Sequence, residues 1–258
     1  MIGTIKRTIF NVSWSLGYVI SRRDAPPPPH YLQQEAAYAD LIARVTPFTM
    51  TSWERMAALV DATRYVVDLQ IPGAIVECGV WRGGSMMLVA LTLMEKGDLR
   101  DLYLFDTFAG MTTPTAVDVD WRGQPAKKQF EASQAQDHNE WCFASLEEVR
   151  RNLLSTGYPP KHVHLVKGDV LETIPHQGLE EIAILRLDTD WYKSTLHELT
   201  HLYPKVRPGG IVIIDDFGHW QGCRKAVEAY FAEGGPFLAR IDQMGRLAVK
   251  PSNGAGLG

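Results

Sequence analysis

Seven acids in this sequence fall at the ends of apolar runs. Glu77 follows Ala74-Ile75-Val76, Asp106 follows Leu102-Tyr103-Leu104-Phe105, and Asp169 comes shortly after His162-Val163-His164-Leu165-Val166. Asp188 and Asp190 follow Ile182-Ala183-Ile184-Leu185-Arg186-Leu187, and Asp215-Asp216 follow Ile211-Val212-Ile213-Ile214. Such runs read as buried parallel strands, and in an open α/β sheet their carboxyl ends face one ligand-binding crevice. Four carboxylates from two adjacent strand ends repel one another unless a cation lies among them. Hard oxygen ligands suit Mg²⁺, with Mn²⁺ or Ca²⁺ as alternatives. Any one of these acids also reads as a solvated turn residue; Asp188-x-Asp190 and Asp215-Asp216 together read poorly that way.

The first of these acids opens a glycine-bearing turn, Glu77-Cys78-Gly79-Val80-Trp81-Arg82-Gly83-Gly84-Ser85, and a helical pattern follows at Met86-Met87-Leu88-Val89-Ala90-Leu91. That is the start of a nucleotide-binding βαβ unit, with ligand at the helix N-terminus. Trp81 stands where the dinucleotide pattern Gly-x-Gly-x-x-Gly has its second glycine, so the bare backbone a pyrophosphate needs is missing and NAD or FAD is disfavoured. A carboxylate at the strand tip suits a ligand with a cation or an amine, and S-adenosylmethionine carries both. Asp106 lies where nucleoside-binding folds accept ribose hydroxyls; a turn or helix cap before Thr107-Phe108-Ala109-Gly110 is its structural alternative.

The elements that position these residues alternate between strand and helix. Thr49-Met50-Thr51-Ser52 supplies a hydroxyl cap for a long helix from Trp53 to about Leu69, and Ile71-Pro72-Gly73 ends it. A helix begins near Ser85 and closes at Gly97. Met111 to His138 lacks clear periodicity and reads as a mobile lid. Ser145 with Glu148 forms a capping box for the helix that follows. Lys193–Tyr203 and Arg224–Ala232 read as helices, Pro208-Gly209-Gly210 as a turn. Phe237–Ile241 and Arg246–Val249 read as a closing antiparallel pair. The fold class is therefore α/β, a doubly wound, mostly parallel sheet with a C-terminal antiparallel hairpin and a helical N-terminal extension.

With 258 residues, one sizeable core suffices. A net charge of −4 argues against a nucleic-acid partner. Cys78, Cys142 and Cys223 have neither metal spacing nor an even count, which points to a reducing, cytoplasmic compartment. No apolar run spans a bilayer, and residues 1–20 lack a secretory h-region. Residues 1–30 read as an arm with a linker at Pro26-Pro27-Pro28-Pro29. The arm's large apolar side chains suggest packing on a second subunit in a homo-oligomer; attachment to a membrane surface is the rival.

Thr49–Ser52, Glu77–Gly84, Asp106–Gly110, Leu187-Asp188-Thr189-Asp190-Trp191-Tyr192-Lys193-Ser194-Thr195 and Pro208–Asp216 together resemble the macrocin O-methyltransferase family, over roughly Thr49 to Val249. Its members include sugar O-methyltransferases of macrolide and aminocoumarin antibiotic assembly. The resemblance implies a class I, Rossmann-like methyltransferase domain over 31–258, S-adenosylmethionine as donor, and Mg²⁺ held by Asp188, Asp215 and Asp216. It implies Asp190 as base, with His138 the nearest candidate for a lid histidine. Glu77 would hold the methionyl end, Asp106 the ribose, and Asp169-Val170 the adenine. Met50, Thr51 and Ser145 would close over the donor. Gly79, Val80, Trp81, Gly83, Ser85, Thr107, Phe108, Gly110 and Asp188 would complete the donor site. The acceptor would be a hydroxylated small molecule, a vicinal diol on a sugar. A catechol methyltransferase shares this metal logic, and a nucleoside-binding module without catalysis would lack the metal site.

Overall fold

The computed structural model describes residues 38–252. The N-terminal arm lies outside them. The chain divides at Ala39/Asp40, and residues 40–252 belong to one compact unit.

Among the described residues, seven strands form one sheet in the order β3-β2-β1-β4-β5-β7-β6. They are β1 (Ala74–Cys78), β2 (Leu102–Asp106), β3 (Val163–Lys167), β4 (Ile182–Leu187), β5 (Val206–Ile214), β6 (Ala239–Arg240) and β7 (Arg246–Val249). The first five pair in parallel, and β7 runs antiparallel to both β5 and β6. This is the class I methyltransferase arrangement, as expected. Every residue of β4 is buried, which is why its sequence shows an apolar run with no alternation.

After a helical stretch over residues 38–45, the α-helices from Trp53 onward are α1 (Trp53–Asp68), α2 (Gly84–Lys96), α3 (Ala126–Ala132), α4 (Leu146–Ser155), α5 (Val170–Thr173), α6 (Tyr192–Leu202) and α7 (Gln221–Tyr230). Ser52 caps α1 by accepting from the Arg55 N–H at 3.2 Å. α2 is buried from Gly84 through Leu93 because α1 and α4 both cover it. Gly97 ends it in the left-handed region at φ 69°. Among the described residues no helix is long and apolar enough to cross a membrane.

Two expectations are corrected. Pro208-Gly209-Gly210 is not a turn before the fifth strand but lies inside β5, where the pairing with β4 slips between Ile182 and Ile184. Gly209 and Gly210 there bond across to Lys250, beyond the end of β7. The lid segment, read as having no clear periodicity, contains α3, and hydrogen bonds tie it to the body. Buried Asp118 accepts from the Thr115 N–H at 2.6 Å and the Tyr192 N–H at 2.8 Å, and Asp120 bridges to Trp220. A buried carboxylate has no helical period to betray it in sequence.

Candidate active site

The carboxyl ends of the strands, the lid and the chain just before α1 enclose one cavity of about 620 Å³. One wall is Phe48 to Thr51 with Arg55; the next is the β1–α2 turn, with Gly79, Val80, Trp81, Gly84 and Ser85. Glycine is required in that turn. A Cβ on Gly79 would lie 1.9 Å from the Asp188 carbonyl oxygen, and one on Gly84 would lie 2.5 Å from the Phe48 carbonyl oxygen. The lid contributes Asp120, Gln124 and Gln129, and β4 and β5 contribute Asp188, Asp190, Asp215 and Asp216, with Gly110 and Asp106 between. A narrow cleft of about 60 Å³ shares Gly79, Asp106, Gly110 and Asp188 and continues to Thr107, Asp169 and Val170.

Most of the expected residues therefore meet, but five do not line either space. Glu77 is buried beneath the floor rather than in the wall. Its register partner on β4 is Arg186, and Arg186 Nη1 donates to Glu77 Oε1 at 2.5 Å. Gly83 is the left-handed residue that starts α2 and packs on Leu153 and Val149. Phe108 is buried and turns its N–H to Asp106. Ser145 caps α4 by accepting from the Glu148 N–H at 3.2 Å. The reciprocal half of the capping box is absent, because the Glu148 carboxylate instead takes Arg82 Nε at 2.6 Å. His138 is held outside by Asp137 at 2.8 Å and Glu140 at 2.9 Å and lies against Phe143.

Asp106 lines both spaces with its oxygens already engaged. Oδ2 accepts from the Val80 and Trp81 N–H groups at 2.7 and 3.2 Å, and Oδ1 accepts from the Phe108 N–H at 2.7 Å. It ties the donor-side turn to the end of β2, which is the capping alternative raised for it in sequence.

Arg186 was not singled out in the sequence, and it organises the floor. Besides Glu77 it donates to Asp188 Oδ2 at 2.6 Å, Asp215 Oδ1 at 2.7 Å and Thr51 Oγ1 at 3.1 Å. Asp215 Oδ2 takes Arg55 Nη1, whose Nε also reaches Asp242 at 3.0 Å. Its signal was a lone cation inside an otherwise apolar strand, a residue type almost never buried unless paired. One guanidinium cannot neutralise three carboxylates. Burial accordingly pushes Glu77 up to about 8 despite the opposing pull of Arg186, while the surrounding acids hold Arg186 above its ordinary value against burial.

The remaining acids lack such partners. Burial first, then the charge of Asp188, pushes Asp190 up to about 8, and Asp190 sits in the left-handed region at φ 65°. Asp216 is driven well up by burial and by Asp190, and its Oδ2 is buried without a hydrogen-bond partner among the described residues. One oxygen each from Asp188, Asp215 and Asp216 lie within 4.8 Å of one another. An orphaned oxygen in an all-carboxylate set is what a hard divalent cation would satisfy, so these residues fit one. Asp215, already holding two arginines, would offer it a second lone pair. His219 lines the cavity as well, and its Nδ1 is buried without a partner among the described residues. Burial pushes its imidazole below the ordinary range. Trp191 packs edge-on against Trp141 and Trp220, which tilt against each other, with centroids 5.0 to 5.9 Å apart, and Trp141 and Trp220 give the cavity an aromatic wall.

Comparison with known proteins bears on this site. A family model described as macrocin-O-methyltransferase matches residues 34–247. The chain is 33% identical over 187 residues to the demethyldecarbamoylnovobiocin O-methyltransferase of Streptomyces niveus, covering 72% of this chain and 68% of that protein. It is likewise 33% identical over 184 residues to the mycinamicin III 3''-O-methyltransferase of Micromonospora griseorubida, covering 70% and 69%. Among solved structures, that of the O-methyltransferase NovP superposes with a TM-score of 0.70 at 31% identity, over 79% of this chain and 82% of that one.

Proposed function

This chain belongs to the macrocin-O-methyltransferase family and is an S-adenosylmethionine-dependent O-methyltransferase; we propose that it methylates one hydroxyl of a vicinal diol on a sugar of a glycosylated small molecule, with Mg²⁺ at Asp188, Asp215 and Asp216. The observation that carries this reading is the triad of carboxylates with an unpartnered buried oxygen, set in the same cavity as the donor-side turn. A further relative's name supports the sugar: the 8-demethyl-8-(2,3-dimethoxy-alpha-L-rhamnosyl)-tetracenomycin-C 4'-O-methyltransferase of Streptomyces olivaceus, 34% identical over 187 residues, carries a rhamnosyl group in its substrate's name. The cavity's aromatic wall suits the apolar face of a sugar ring, and the lid's Asp120, Gln124 and Gln129 suit its hydroxyls.

When bound, the cation would act as a Lewis acid on the acceptor hydroxyls. The chain's own residues do the rest. Gly79, Val80 and Ser85 bring the β1–α2 turn and a helix N-terminus to the donor. Trp141 and Trp220 exclude water and orient the acceptor. Asp190, on the cavity wall, takes the proton as the acceptor oxygen attacks the methyl carbon. The C–S bond breaks with its electron pair going to sulfur, leaving neutral S-adenosylhomocysteine. Transfer of labelled methyl groups to a panel of glycosides and catechols, with and without a chelator, tests the reading. Glycoside methylation that a chelator abolishes and Mg²⁺ restores is the expected result; transfer to catechols alone, or transfer indifferent to the chelator, refutes it.

A further inference from the structure

S-adenosylmethionine has one anionic group, its α-carboxylate, and the cavity is hostile to it. Six aspartates line the space: Asp106, Asp120, Asp188, Asp190, Asp215 and Asp216. Among the described residues, Arg55 is the only lysine or arginine in the lining. It stands on the first turn of α1, shortly after the Phe48–Thr51 wall, and its side chain is only 9% exposed. Its bonds leave one arm of the fork over. Nε is taken by Asp242 at 3.0 Å and Nη1 by Asp215, whereas the Nη2 partner among the described residues is the Met244 sulfur at 4.0 Å, a weak acceptor. Glu77, the acid that the resemblance assigns to the methionyl end, lies under the floor with Arg186 and lines neither the cavity nor the adjoining cleft.

We propose that Arg55 is the receptor for the donor's α-carboxylate, which Nη2 binds as a charge-assisted hydrogen bond. The two fixed bonds hold the guanidinium plane still, so binding the carboxylate orders little else. The same placement makes Arg55 a bridge from the donor to Asp215, without requiring it to touch the acceptor. The inference rests on the family's donor and is independent of the metal and of the sugar.

Decarboxylated S-adenosylmethionine keeps the sulfonium, the adenosine and the amine but lacks the carboxylate. Calorimetric titration of the full chain with both compounds isolates the group in question. In the wild type, S-adenosylmethionine should bind tighter than its decarboxylated analogue by about 10–150-fold. In Arg55→Met that preference should collapse toward unity, through weaker S-adenosylmethionine binding with the analogue little changed. A wild type that binds the two equally overturns the proposal without requiring any variant to fold. A preference that survives in Arg55→Met assigns the carboxylate to the backbone N–H groups that open α2, and an equal loss for both compounds makes Arg55 a prop for the wall. A wild type that binds neither compound removes the donor site itself.

Discussion

The two ends of the sheet hold their charges in opposite ways. At the amino ends of β2 and β3, Asp101 is half exposed and faces two histidines, with Oδ1 3.0 Å from His162 Nδ1 and 3.1 Å from His164 Nε2. Burial would raise its carboxyl, but the hydrogen bonds from both imidazoles outweigh it and the pKa is lowered. At the carboxyl ends the sign reverses. Asp215 is raised to about 6 by burial against the pull of Arg186, and Asp190 to about 8. The same side chain is thus content at one edge and frustrated at the other, and frustration by desolvation at a cavity wall marks the edge that awaits a ligand. The open edge serves stability.

The sharpest way to break that contrast is to remove the cation that holds the buried edge together. Arg186→Met leaves Glu77, Asp188 and Asp215 without their shared partner. Breaking a buried ion pair from one side costs about 3–5 kcal/mol. At roughly 2–4 °C per kcal/mol for a domain of this size, melting should fall by about 6–20 °C. A denaturation midpoint close to wild type would mean that water or another group shields these acids, and the two edges would then differ less than their burial suggests.

Asp216→Asn separates function from stability at the same edge. The unpartnered oxygen is lost and with it the repulsion from Asp190 and Asp188, so melting should hold or rise. Methyl transfer should nonetheless fall by about 100-fold or more in kcat, and added Mg²⁺ should not restore it. Activity retained alongside lower stability would make Asp216 a structural acid and move the metal reading elsewhere.

Much of this geometry could be read from residue order, because strand ends are fixed by where apolar runs stop. Glu77, Asp106, Asp188, Asp190, Asp215 and Asp216 were found that way. What escaped is what partners them. Arg186 and Arg55 lie 131 residues apart in sequence (186 − 55) yet meet on the same Asp215, and no local pattern encodes such a meeting. The lid's anchoring hid for the same reason: Asp118 bonds to Tyr192 across 74 residues. Ser145 shows the opposite case: its local pattern reads as a cap and the structure uses it as one, whereas the donor role implied by resemblance finds it outside the cavity. As the cap of α4 outside the cavity, Ser145→Ala should cost about 0.5–2 kcal/mol in unfolding free energy and leave the S-adenosylmethionine dissociation constant unchanged. A weakened donor affinity in calorimetry would return Ser145 to the site.

The smallest effect belongs to the open edge, and its pH dependence has a definite sign. Because the folded pKa of Asp101 lies below the unfolded one, its bonds contribute stability that is fully present above the unfolded value. That contribution is lost as pH falls from about 3.9 through the lower folded pKa. With Asp101 half exposed, solvent screening limits it to about 1 kcal/mol or less. Asp101→Asn should therefore melt slightly below wild type from pH 5 to 7, and the two melting curves should converge as the buffer is taken below pH 4. Methyl transfer should be unaltered at neutral pH, since the amino ends of the strands lie across the sheet from the cavity. A gap that widens toward acid would show that the amide itself disturbs His162 and His164, and loss of activity would show that the two edges are not independent.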